Sequence, residues 1–173
     1  MKKRVVFFLR SKTFKKITIV LWGALFSLGL LGIFRPELFL KFGYLGVYIF
    51  NLFGPGTFLV PSLSRHMNVA LLAFATAAGM ATNDSVAFVV GRNGDVVFPR
   101  SKKIERVEKG LHRWGPWALF VWSLIPFPYD IIGVIAGYLE FTYRSYIIPT
   151  FLGKFVRFLL LGSGVVTFFG KAI

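Results

Sequence analysis

Four charges fall inside long apolar stretches of this chain: Asp84, Asp130, Lys154 and Arg157, with the amide of Asn83 beside the first. In hydrocarbon, such charges are costly and mark substrate paths, proton relays or internal ion pairs. Two chemistries suit these residue types. Lys154 and Arg157 can attract a phosphate through charge-assisted hydrogen bonds, while Asp84 and Asp130 balance charge or exchange protons. Alternatively, Asp84 or Asp130 pairs with Arg157 simply to hold a helix bundle together. Both readings stand on the sequence alone.

Other polar residues carry less. Arg92, in Gly91-Arg92-Asn93-Gly94, is either a further phosphate contact or an arginine snorkelling from a capping turn to lipid headgroups. Glu140 and Arg144 have the spacing of a helical ion pair. His66 and His112 are isolated, without metal-ligand spacing, and no Ser/His/Asp set or paired carboxylates can be assembled. We therefore expect no catalytic residue, no cofactor, no metal and no enzymatic activity. With no cysteine, thiolate and disulfide chemistry are excluded.

The composition says what must position these groups. Hydrophobic residues make up 55%, aromatics 18% and charged residues 16%, with a mean hydropathy of +0.67. A soluble domain averages about 25% charged residues, so the chain reads as one membrane domain. The net charge of +14 is clustered: seven of the 21 Lys and Arg lie in residues 1–16 and seven more in residues 92–113. Both clusters flank apolar runs, as cytoplasmic loops do. Anionic lipid headgroups are the expected partner; no nucleic-acid fold motif is present.

Two of the apolar segments are broken by Gly/Pro knots. Residues 43–63 carry Gly54, Pro55 and Gly56, and residues 114–138 carry Pro126 and Pro128. Proline removes a donor and clashes with the preceding turn, and a broken helix in lipid must find other partners for its backbone. Each broken segment therefore reads as a re-entrant hairpin, and each is followed by a transmembrane helix, over residues 68–90 and 146–169. A basic cytoplasmic arm (1–16), a first uncleaved transmembrane helix (17–34) and an amphipathic helix on the inner leaflet (100–113) complete the chain. This topology leaves only Arg35, Lys41, Arg65 and Lys171 outside. The first hairpin then enters from outside and the second from inside. The expectation is an all-α integral membrane protein, an inverted repeat of two units, each a re-entrant broken helix plus a transmembrane helix. Its place would be the plasma or inner membrane, multi-pass, with a cytoplasmic N-terminus and scope for a homo-oligomer.

These segments, from Tyr44 to Gly164, resemble the DedA family of proteins with a VTT (SNARE-associated Golgi protein) domain, particularly its YqaA-like branch. The resemblance runs through the first Gly/Pro loop, Ala78-Gly79, and Gly91-Arg92-Asn93-Gly94. It continues through Gly115, Ile125-Pro126-Phe127-Pro128-Tyr129-Asp130, Ala136-Gly137, Phe141, and Gly153 with Arg157. It implies lipid handling: a flippase or scramblase for a polyprenyl phosphate or a phospholipid. Two features depart from the family pattern. Residues 51–61 contain no acid, and residues 123–130 lack the two arginines of an Arg-Phe-x-Pro-x-x-Arg pattern. The family's proton-coupling residues therefore do not all carry over. A non-transporting membrane scaffold and a proton- or ion-coupled small-ion transporter remain as alternatives.

Overall fold

The computed structural model describes residues 35–53, 56–93, 102–126 and 129–171, with isolated positions at Val20, Gly23, Ala24 and Ser27. The expected basic arm, the first transmembrane helix, Gly54, Pro55 and Pro128 lie outside the described residues. Every regular element among those described is helical.

Helix α1 (Glu37–Phe53) starts earlier than the sequence suggested. Pro36, with its preset φ, opens the first turn, and its carbonyl accepts from Phe39 and Leu40 N–H at 2.9 and 3.0 Å. Gly43 then takes φ 57°, ψ −155° inside the helix, a kink open to glycine. Residues 37–42 are thus already helical, ahead of the broken segment expected over residues 43–63. After Phe53, helical turns resume in a 3₁₀ segment (Gly56–Phe58) and a short α2 (Leu59–Leu63). Asn68 starts α3 (Val69–Asn93): its Oδ1 accepts from Ala70 and Leu71 N–H at 3.0 and 3.2 Å.

Helix α4 (Lys102–Trp114) is the amphipathic one. Its apolar stripe is not left to the membrane surface. Val107 and Leu111 are buried, and Gly110 admits the Trp122 ring of the next helix against its backbone. The stripe therefore seals protein core, and only its charged face is open. Gly115, at φ 55°, makes the turn into α5 (Pro116–Leu124), with Pro116 at the first helical position. After Pro126, α6 (Tyr129–Tyr138) follows. It closes in a paired cap: Phe141 N–H reaches the Ala136 carbonyl at 3.2 Å and Glu140 N–H the Gly137 carbonyl at 3.0 Å.

That cap corrects the expected Glu140–Arg144 pair. Glu140 sits at φ 58°, outside any helix, so helical spacing to Arg144 does not apply. A non-glycine residue there costs about 1–2 kcal/mol. Glu140→Gly should accordingly raise the midpoint of thermal unfolding in detergent; an unchanged midpoint would mean the strain is relieved elsewhere. Thr142 then caps α7 (Tyr143–Phe169), accepting from Ser145 N–H at 3.3 Å.

Among the described residues, helices α3 and α7 are the two long and apolar enough to cross a membrane. They pack on each other, α1 packs on α3, α5 on α7, α6 on α3, and α2 more lightly on α7. Contacts give the registers. Val69 meets Gly162 while Phe88 stacks on Tyr146, so α3 and α7 are antiparallel. Tyr44 hydroxyl accepts from Asn68 N–H, and further along, Gly79 meets Tyr48 and Asn51, so α1 runs with α3. Val60 meets Gly162 and Arg65 meets the Gly170 carbonyl, so α2 runs with α7.

Two apolar clusters form the core. One gathers Val47, Phe50, Leu59, Leu63, Leu72 and Phe158; the other gathers Phe88, Leu111, Leu119, Ile132, Ile135 and Tyr146. Outward faces are apolar as well. Leu71, Phe74 and Val86 on α3, and Ile148, Leu160 and Phe168 on α7, are all exposed. Only 22% of the most apolar window of α7 is buried, which is the reverse of a core helix in a soluble protein and suits contact with lipid.

Candidate functional site

Between the two apolar clusters, mid-way along both long helices, the structure places an ion pair. Lys154 Nζ of α7 lies 2.8 Å from Asp84 Oδ2 of α3. Both residues are buried, at 3% and 6% exposure. Charges taken out of water are tolerated when paired in good geometry, and further contacts hold this pair. The Lys154 ammonium lies 4.9 Å from the centre of the Tyr129 ring, an attractive arrangement for a desolvated cation. The Tyr129 hydroxyl sits between Thr150 Oγ1 at 2.7 Å and the Leu119 carbonyl at 3.2 Å. Thr150 Oγ1 donates to the Tyr146 carbonyl at 2.7 Å, and the Tyr146 hydroxyl donates to the Asp84 carbonyl at 3.1 Å. Asp84 is therefore gripped at its carboxylate by α7 and at its backbone by Tyr146.

This arrangement corrects one expectation. The partner of Asp84 is Lys154, not Arg157. Lys154 and Arg157 lie about 60° apart around α7, and it is the Lys154 ammonium that reaches Asp84. Lys154 is thereby neutralised and is not a free cation for phosphate. Arg157 is half-buried, its guanidinium 5.3 Å from the neighbouring Phe158 ring, and among the described residues it forms no ion pair. It sits one turn beyond Gly153, the point where α7 meets α5. A methyl group at Gly153 would overlap Ser123 Oγ and come within 2.5 Å of the Phe120 carbonyl.

Asn83 occupies the corresponding position on α3. It lies one turn beyond Gly79, where an added methyl would come within 2.5 Å of the Tyr48 carbonyl of α1. Asn83 is exposed, whereas its neighbour Asp84 turns inward. Asp130 is exposed in the first turn of α6, where a carboxylate complements the helix dipole. Arg92 is exposed at the end of α3 and donates to the Phe141 carbonyl at 3.4 Å. The structure thus joins Asp84 to Lys154 and leaves Asn83, Arg92, Asp130 and Arg157 outside that pair. Of the hinge residues, Gly56 is buried against Asn51, and Pro126 follows the end of α5. Among the described residues, no three side chains converge as metal ligands.

Comparison with known proteins adds the lineage. A family model, the VTT domain, matches residues 42–167. The chain belongs to the VTT domain family. Taken with its two long apolar helices and their lipid-suited faces, it is a membrane protein. This VTT-domain protein is similar to an uncharacterized HI0703 homolog of Histophilus somni, 33% identical over 48 residues. That stretch is 28% of this chain and 25% of the relative, so the two share only a quarter of the relative's length. No solved structure matches the chain.

Sequence reasoning did not single out Tyr129, Tyr146 and Thr150. One signal was present: Tyr146, Thr150 and Lys154 recur every fourth residue along α7, a polar stripe in an apolar helix. Asn51 was also missed. It is fully buried in α1, with Nδ2 donating to the Val47 carbonyl at 2.7 Å.

Proposed function

We propose that this VTT-domain protein is a membrane lipid transporter, a flippase or scramblase that moves a phosphate-bearing lipid, such as a polyprenyl phosphate or a phospholipid, between leaflets. Arg157 carries the proposal. It is a guanidinium deep in a membrane-crossing helix, uncommitted to any acid among the described residues, and a guanidinium is built to bind phosphate. The adjacent Asp84–Lys154 pair is already neutral, so Arg157 contributes the net positive charge that an anionic headgroup needs on its way across.

The chain registers support the transport architecture. With α1 running along α3 and α2 running along the antiparallel α7, the first broken segment doubles back as a re-entrant hairpin. Packing is alike in the two units: the first half of each broken segment lies on its own long helix, and the second half lies on the other unit's. That exchange pattern suits an inverted repeat with a headgroup path between the units. In this reading Asn83 and Arg157 mark the path at mid-membrane, Asp130 balances charge, and Arg92 meets headgroups at the cytoplasmic face. The protein resides in the plasma or inner membrane, N-terminus inside, with its basic loops on anionic lipid.

Hydrogen bonds to charged groups contribute about 1.5–3 kcal/mol. In proteoliposomes, Arg157→Ala should therefore slow translocation of a labelled phospholipid roughly tenfold or more, while Arg157→Lys keeps part of the rate. Equal rates for wild type and Arg157→Ala, both above protein-free vesicles, would remove Arg157 from the mechanism. A second reading, a scaffold without transport, is favoured by the closed burial of Asp84 and Lys154. It predicts protein-free rates for every variant.

A further inference from the structure

The second halves of the two broken segments are seated differently. Helix α6 lies backbone to backbone on α3. A methyl group at Gly91 would meet the Val134 carbonyl, one at Gly137 the Phe88 carbonyl, and one at Gly133 would stand 3.4 Å from the Asp84 carbonyl. The Tyr129 hydroxyl ties the same helix to the Leu119 carbonyl of α5 and to Thr150 of α7. Helix α2 meets α7 at Gly162, where a methyl group would find side-chain atoms nearest: Val69 Cγ1, Ser64 Cβ and Val60 Cγ1. At the base of this stretch the Asn51 amide stands against Gly56, and its Oδ1 accepts no hydrogen bond. The Thr57 hydroxyl reaches the Met80 sulfur at 3.7 Å, a weak acceptor, and Pro61 has no N–H to return to the preceding turn. At the tip, Arg65 Nε crosses to the Gly170 carbonyl at 3.3 Å, where a cation suits the C-terminal end of α7.

Burial does not separate the two elements. Leu59, Val60 and Leu63 are as buried as Ile132 and Ile135. Hydrocarbon solvates such side chains as well as protein does, so in a membrane close packing and polar bonds hold a helix in place. By that measure α2 is the looser element. We propose that residues 56–63 form a gate that parts from α7 while α6 stays on α3, with the Arg65–Gly170 bond as its latch. What the gate covers follows from α7. Lys154, Phe158 and Gly162 recur every fourth residue and so share one side of that helix. Phe158 belongs to the same apolar cluster as Leu59 and Leu63. Parting therefore uncovers a strip of about 12 Å, running from Gly162 back to the Asp84–Lys154 pair. Arg65 and Lys171 are exposed at the end where the strip begins, so the gate stands between a polar end of the bundle and its buried charges. The inference goes beyond the transport reading and does not depend on it, because its test reads access of a reagent and not passage of a lipid.

The chain has no cysteine, so single introduced thiols report the gate. The full chain is placed in phosphatidylcholine nanodiscs, which leave both membrane faces open to a charged maleimide. Ser64→Cys, a near-isosteric change at a fully buried position, probes the seam between α2 and α7; Ala136→Cys, equally buried, probes α6 on α3. A thiol reacts as its thiolate and needs access to water and reagent. The Ser64→Cys thiol is expected to react without denaturant, and several-fold faster once Arg65→Ala removes the latch. Arg65→Lys, which keeps a cation at the end of α7, should stay closer to the parent rate. Ala136→Cys should react slowly and be unchanged by Arg65→Ala or by Arg92→Ala, because the glycine seats of α6 remain. A Ser64→Cys thiol that reacts only on denaturation, or at a rate that Arg65→Ala leaves unchanged, would overturn the gate. So would an equal rise at both thiols on Arg65→Ala, which marks general loosening of the bundle. Lipid translocation can fail in the unmodified chain with this labelling pattern intact, and that result would count against the transport reading alone.

Discussion

Replacing Lys154 by methionine is expected to be among the most damaging single changes in the chain, lowering stability by about 3–5 kcal/mol, the usual consequence of stranding one member of a buried ion pair. The prediction follows from where Asp84 sits. Its carboxylate is inside the contact between α3 and α7, and Oδ2 makes no hydrogen bond besides meeting the Lys154 ammonium. Methionine has nearly the volume of lysine but no charge, so packing survives while the carboxylate loses its partner. The double variant Asp84→Leu/Lys154→Met removes both charges at similar volume and should recover most of the loss, because well-packed apolar replacements of buried pairs are often neutral or better. The measurement is thermal unfolding of the four proteins of the cycle in one detergent, with folded yield after membrane extraction as a check. A double variant as unstable as Lys154→Met would mean that the lost stability lies in the Tyr129 contact of Lys154 rather than in the charge pair. Comparing the double variant in the lipid assay then separates the pair's structural role from any part in transport.

That ion pair also shows where reading the sequence stops. Composition and the run lengths of apolar residues identify a helical membrane protein, because a long uncharged helix and a Gly/Pro break are both written locally. Asp84, Lys154 and Arg157 are equally visible as charges in apolar surroundings. Their pairing is not, since Lys154 and Arg157 are three residues apart and which one meets Asp84 depends on how α7 is rotated against α3. Gly162 of α7 lies against Val69 of α3, and Gly153 lies against Phe120 and Ser123 of α5; such close contacts with distant segments seat α7 and leave no mark in local pattern. Helix α4 repeats the lesson. The spacing of Ile104, Val107 and Leu111 announces an amphipathic helix, but the stripe fits a leaflet and a protein core equally well. Only the Trp122 ring over Gly110 decides for the core. At Glu140 the local pattern misleads, because the cap that ends α6 forces a backbone conformation that the residue type disfavours.

The second large effect expected is at the glycines that bring each broken segment against its long helix. Gly79→Ala and Gly153→Ala should each destabilise the protein by about 1–3 kcal/mol, the range for forcing extra atoms into a packed contact. This would happen even though alanine is the better helix former by about 1 kcal/mol in isolation. At Gly79 the new methyl meets the Tyr48 carbonyl at 2.5 Å and Asn51 Cβ at 2.7 Å. At Gly153 it meets the Phe120 carbonyl at 2.5 Å besides Ser123 Oγ. Carbonyls cannot swing aside as a side-chain tip can, so relief requires α1 or α5 to move as a body away from its partner. Ser123→Ala should therefore restore only part of what Gly153→Ala loses, because the Phe120 carbonyl stays in place. Gly164 supplies the contrast. It lies on the same helix as Gly153 but faces open space, so Gly164→Ala should be neutral or slightly stabilising. If unfolding midpoints rank Gly164→Ala with Gly153→Ala, the loss reflects a general need for glycine in α7 and not the seat of the broken segment. If instead Gly79→Ala and Gly153→Ala keep wild-type midpoints but lose lipid translocation together, the close seats matter for movement of the broken segments rather than for their stability.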